Sequence, residues 1–330
     1  MKTACYMLGF CLVLVTASMG RGGIGWAQST PEAGSQEQQK SPPAAVKLED
    51  LERRIGPLKI KEQNFTVILH LKRVRGVGEE TVARVEIRDE GGKVPYETSF
   101  PFEVEGDHFV ETTEVSARLI EGTRAKGILV TVDIEPSTPL GGGSYQVLGL
   151  FDGKLVPFSK PISLEGDLIE PEPPDEGVVK TTTEPGRQGD VLQFRVWTGN
   201  FFVVVPVLVD WIQAKMMPVW RCNRMTARGR QPQCRFNVEA DRNPRETELT
   251  FVRLHSEPEE GMGIAEHVVI KKSSKVEILE AAGPQLWEES NEGIALSVGD
   301  DLWLKVRIDG KEGWIHTQED FSAIGLPQAG

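Results

Sequence analysis

Few side chains in this chain are of a type and spacing that could do chemistry, and those few suit binding better than catalysis. The five histidines, at 70, 108, 255, 267 and 316, share no metal-ligand spacing and form no H-E-x-x-H pair. No serine stands in a G-x-S-x-G elbow, and Ser144 follows three glycines in a loop-like stretch. Cys222 and Cys234 lack an Asp-Cys-Ser-type context for a nucleophilic thiol. Adjacent acids such as Glu79-Glu80 and Glu259-Glu260 read as solvated surface rather than as a general acid and base. The chain therefore reads as a protein that is not an enzyme, with no catalytic residue, cofactor or metal.

Two groups of residues could bind. Trp287, Trp303, Trp314 and Phe321 offer flat rings that stack on prolines or sugars. Trp314 follows a turn glycine, Gly313, and is the one of the four better placed as core. Trp303, beside Asp300-Asp301, and Trp287, in a polar stretch, are expected to be exposed. The second group is Arg221, Arg224, Arg228, Arg230 and Arg235, extended by Arg242 and Arg245, with only Glu239 and Asp241 to offset them. Guanidinium forks suit carboxylates and phosphates. The run is either an anionic-partner patch or a solvated loop that pairs with an acidic first domain.

The elements that must position these groups are strands. Residues 1–27 read as a secretory signal: Lys2 precedes the apolar run Ala4–Ala17, and Gly25-Trp26-Ala27 supplies small residues for cleavage after Ala27. Cleavage removes Lys2 and Arg21 from the 37 bases and none of the 49 acids, taking the net charge from −12 to −14. Such a charge argues against nonspecific nucleic-acid binding. The expected location is the periplasm or the exterior, with no membrane span in the mature chain; Phe201–Val209, FFVVVPVLV, is too short to cross and reads as a buried strand. Cys222 and Cys234 are then the only thiols left, and in an oxidising compartment they read as one disulfide, worth about 3 kcal/mol in the chain-entropy model.

Residues 28–54, rich in Gln, Ser, Pro and Glu, are expected to be a disordered tether, and 170–187 a Pro/Glu-rich linker. Between them, 55–169 carries about seven short alternating runs, among them Phe65–Lys72, Thr81–Arg88, Ser99–Val104, His108–Ala117, Ile128–Ile134 and Tyr145–Leu150. That pattern predicts a β-sandwich, loosely immunoglobulin-like in architecture. Residues 188–246 predict a middle β domain whose two cysteines face each other in a hairpin.

The last part, 247–330, carries a resemblance. Val252-Arg253, Pro258, Lys275–Leu279, Trp303-Leu304-Lys305-Val306 and the turn Asp309–Ile315 with Gly313-Trp314 resemble a bacterial SH3-type domain. The stretch Ala281–Asp301, holding Leu286-Trp287, is longer than the usual connecting loop there. The resemblance implies an SH3-like barrel that binds peptide or peptidoglycan. The whole chain is thus expected to be all-β: an N-terminal β-sandwich, a middle domain with one disulfide hairpin and a C-terminal SH3-like barrel. Its expected role is non-enzymatic binding or scaffolding at the cell envelope, with a protein, peptide or cell-wall glycan as partner. The alternatives are an accessory subunit of an exported assembly, docked through the arginine run, and a hydrolase with an unrecognised site.

Overall fold

A computed structural model describes residues 47–134, 142–169, 178–183, 189–219, 222, 234–240, 243, 250–258, 264–299 and 301–327. The stretch expected as a signal peptide, most of the stretch expected as a tether, and Arg221, Arg224, Arg228 and Arg230 lie outside the described residues. The protein is all-β, and one six-residue helix is the exception among the described residues.

The first sheet is antiparallel, in the order β1 (Leu48–Ile60), β2 (Gln63–Val74), β3 (Glu80–Asp89), β4 (Tyr96–Ser99). Alternation decides its faces: Val67 and Leu69 on β2, and Val85 and Ile87 on β3, point inward, while His70, Arg84, Glu86 and Arg88 line the outer face. β1 starts at Leu48, inside the stretch expected as tether, because it pairs along the whole of β2, from Leu48 opposite Val74 to Ile60 opposite Gln63. β5 (Val104–Glu105) and β6 (His108–Phe109) form a small hairpin where longer strands were expected.

The second sheet contains β7 (Thr113–Glu121), β8 (Lys126–Ile134), β9 (Gly142–Phe151), β10 (Lys154–Pro157), the first half of β11 (Ile162–Leu168) and β12 (Val178–Lys180). Its Ala117, Ile128, Val130 and Leu148 face the first sheet, completing a two-sheet sandwich. Its opposite face, with Leu129, Tyr145 and Val147, packs into a second core shared with Phe194, Val205 and Val207. A sheet covered on both sides explains why Ile128–Val130 reads as unbroken apolar sequence. β12 lies within the stretch expected as a linker and pairs in parallel with Leu119–Glu121.

The third sheet supplies that second cover: β13 (Thr182–Thr183), β14 (Asp190–Trp197), β15 (Phe202–Asp210), β16 (Lys215–Pro218) and part of β17 (Cys234–Glu239). β15 holds all of the buried run FFVVVPVLV but its first residue, and its proline is placed without cost. On one side Pro206 opposes Gln193; on the other it falls between the pairings of β17 with Phe202–Val204 and of β16 with Val207–Asp210. The missing N–H thus breaks no ladder, and the Pro206 carbonyl accepts from Val219 N–H at 3.0 Å.

Two strands change sheets. β11 pairs with β9 through Ile162–Glu165, then with β14 through Gly166–Leu168. The corner is Gly166, at φ +139, where a Cβ would lie 1.9 Å from the Arg195 carbonyl oxygen. β17 likewise pairs with β15 through 237–239 and turns Cys234–Phe236 to the C-terminal strands. Cys222 and Cys234 are bonded as a disulfide and face each other as an antiparallel bridge, as the hairpin expectation required.

A buried carboxylate ties the second and third sheets together. Asp190, fully buried, accepts from Thr123 N–H and Thr123 Oγ1–H, both at 2.9 Å, and from the Trp211 indole N–H at 2.5 Å. Every donor comes from a turn, so one side chain fixes the β7–β8 and β15–β16 connections.

The C-terminal region contains β18 (Thr250–His255), β19 (Ile264–Ile270), β20 (Val276–Gly283), β21 (Gln285–Glu289), β22 (Ile294–Val298), β23 (Trp303–Ile308), β24 (Lys311–Ile315) and α1 (Gln318–Ala323). Antiparallel pairing runs β19–β18–β24–β23–β20–β17. The stretch expected as a long loop is instead the hairpin β21–β22, and β22 pairs in parallel with Ile162 and Ser163 of β11. Buried Ile294 and Leu296 give that hairpin a face to anchor.

Candidate functional site

The inner faces of β18, β23 and β24 place Val252, Leu254, Leu304, Val306 and Ile315 in the main core. Period-2 alternation then turns Phe251, Arg253 and His255, along with Trp303 and Trp314, to the other face. Gly313 is inward, and its lack of a Cβ is required because one would lie 2.5 Å from Leu254 Cβ. Its absence lets β18 close against β24 and brings His255 opposite Trp314.

Trp303 is buried, at 1 % exposure, although exposure was expected. Two histidines distant in sequence cover it. His316 stacks on the indole at 4.4 Å, and His255 meets it edge-on at 5.1 Å. Asp301 holds His316 in place, with its Oδ1 2.8 Å from Nε2. His255 Nδ1 is buried without a hydrogen-bond partner among the described residues.

Trp314 is buried, as expected of a core residue, but in a small cluster with Ala282 and Trp303 on the outer face. Arg235 roofs that cluster: its guanidinium lies 4.4 Å from the Trp314 ring centre, and its Nη1 is 3.8 Å from Glu280. Arg235, the described member of the arginine group, is thus committed to covering a tryptophan. Phe321 is also buried, edge-on to Phe201 at 5.7 Å, where it docks α1 on the core. Trp287 is half-buried on β21, opposite Leu296, with its indole N–H directed to Glu289 at 3.3 Å. The four candidate aromatics therefore do not converge: Trp303 and Trp314 share one cluster, and Phe321 and Trp287 sit apart from it.

What the structure does bring together is a surface hollow of about 630 Å³, lined by Phe251, Arg253, His255, Trp303, His316, Thr317, Glu319 and Asp320. Phe251 is 70 % exposed on its rim. Thr317 caps α1, accepting from Asp320 N–H at 3.2 Å and donating to Asp320 Oδ2 at 2.9 Å, which fixes the acidic first turn beside the hollow. The floor is aromatic, one wall carries a guanidinium and the other carboxylates. Such a hollow can stack a flat or apolar group while pairing charges of both signs. The alternation of β18 was the signal in the sequence for Phe251, Arg253 and His255; for His316 there was none.

Among the described residues no group of three or more His, Cys, Asp or Glu is arranged to hold a metal ion, and no helix is long and apolar enough to cross a membrane. No family model, curated protein or solved structure matches the chain.

Proposed function

We propose that this chain is a non-enzymatic, exported binding protein of the cell envelope, whose C-terminal SH3-like module recognises peptide or peptidoglycan through the hollow between β18 and α1. One observation carries the reading: Phe251, a large aromatic, stands 70 % exposed beside Arg253, Glu319 and Asp320 over a floor built by Trp303 and His316. An exposed aromatic among fixed charges of both signs fits a zwitterionic ligand such as a peptide. The antiparallel closure of β18 on β24 supports the SH3-like assignment.

Retention of the intact oxidised protein on purified cell wall tests this. Wild type is expected to be retained, and Phe251→Ser together with Arg253→Glu to abolish retention without lowering Tm. A wild-type protein that stays in the supernatant removes the wall-binding version.

A further inference from the structure

The sheets end in edges that differ sharply in how well they are guarded. Exposed edges invite another chain to pair, and proteins blunt them with short strands, charge or proline. β4, β10, β12, β13 and β16 are four residues long or shorter, and β10 and β16 end in proline. β21 ends in Glu288-Glu289. β1 is long, yet its register shifts around Gly56-Pro57, and it carries Glu49, Asp50, Glu52, Arg53, Arg54 and Lys59.

β19 is guarded less: its pairing with β18 shifts register between Leu254 and His255, near its start, but runs unbroken from Glu266 to Ile270. It runs seven residues, Ile-Ala-Glu-His-Val-Val-Ile, without proline or lysine, and among the described residues it pairs only with β18. Its one carboxylate, Glu266, is engaged by Lys311. The surface beside the edge is apolar and basic: Val269, 39 % exposed, lies opposite Phe251, and His267 lies opposite Arg253. Exposed Lys271 and Lys272 follow directly at its end. If two copies paired edge to edge, this basic strip would meet itself, so a second copy is a poor electrostatic match.

We propose that the outer edge of β19 is a docking edge for an extended acidic segment of a partner protein, added to the sheet as one more strand. Main-chain hydrogen bonds would hold it, an apolar side chain would rest on Val269 and Phe251, and alternate carboxylates would face Arg253, His267 and Lys271. This site shares Phe251 and Arg253 with the hollow but not its acidic wall, and it needs no cell-wall ligand.

The test uses the full oxidised chain and two short synthetic peptides whose every second residue reads Glu, Val, Glu in one and Lys, Val, Lys in the other, with threonine between, so that the charges and the valine share one face of the added strand. The acidic peptide is expected to slow amide hydrogen exchange within Ile264–Ile270 and to bind at least about tenfold more tightly than the basic one, with the difference shrinking at high salt. Val269→Glu is expected to lose this binding, and Val269→Thr, which keeps a β-branched side chain, to retain it. Equal binding of both peptides, or no added protection in β19, overturns the proposal. So does concentration-dependent dimerisation that Val269→Glu abolishes, since the edge would then belong to a second copy. Phe251→Ser combined with Arg253→Glu disrupts both sites, whereas Val269 does not line the hollow, so the single Val269 variants separate failure at the edge from failure of the wall-binding reading.

Discussion

Replacing Gly166 by alanine tests whether the corner in β11 joins the two sheets. At φ +139 an L residue sits outside the regions its Cβ allows, which costs about 1–3 kcal/mol. The new Cβ would lie 1.9 Å from the Arg195 carbonyl oxygen, where contacts under 3.0 Å are essentially never seen. β11 must therefore retreat by about 1 Å from β14, weakening pairings such as Gly166 with Val196, at about 0.5–1.5 kcal/mol per hydrogen bond lost. The combined loss is about 2–5 kcal/mol, a large share of the roughly 5–15 kcal/mol that a folded protein has in total. Urea unfolding followed by tryptophan fluorescence measures it as a lower midpoint at unchanged slope. Gly153→Ala is the control: its φ of +75 is also positive, but nothing lies within 4 Å of the new methyl. Only the backbone strain should appear there, about 1 kcal/mol. Equal losses at the two positions, or a loss below about 0.5 kcal/mol at Gly166, would show that the corner is not held by close approach.

Two further outcomes follow from buried or shielded carboxylates. Asp190→Asn keeps the shape but turns an amide N–H₂ toward the donors of Thr123 or Trp211, and should lower stability by about 1–3 kcal/mol in the same urea assay. Glu86 is held below the ordinary glutamate range chiefly by its hydrogen bond from Arg88, with Arg84 and His70 adding charge and burial opposing them. Its contribution is thus present at neutral pH and lost as acid takes the pH down through the ordinary glutamate range to its lowered value. The Tm gap between wild type and Glu86→Gln should accordingly be widest near pH 7 and close toward pH 3; a gap that widens in acid would reverse the assignment.

Strand-level order was legible because alternation is local. Phe65–Lys72 and Thr81–Arg88 fall inside β2 and β3, and the unbroken run around Pro206 is a central strand. The disulfide was legible because Cys222 and Cys234 are the only cysteines left once residues 1–27 are set aside. Coverage across sheets was not. Trp303 stands beside acidic residues in sequence, but its burial is decided by His316, which the β23–β24 hairpin sets beside it, and by His255, which only the closure of β18 on β24 brings to it. The acidic, proline-containing composition that marked 170–187 as a linker hid β12, whose three residues gain their order from β7. Trp287 looked like part of a loop because the partner that gives its hairpin an anchor, β11, is distant in the chain.

That parallel contact between β11 and β22 also sets a clock. Ile162 and Ser163 are made long before Ile294 and Ala295, their partners on one side. At roughly 5–20 residues per second, synthesis of the intervening chain lasts on the order of ten seconds. For that interval the nascent second sheet has an open side next to β11, where Pro161 will later accept from Ile294 N–H at 2.8 Å. The first sandwich can assemble early, but its rim cannot close until the hairpin near the C-terminus has been made. Pauses or truncations that lengthen this wait should raise aggregation far more than equal delays placed after residue 298.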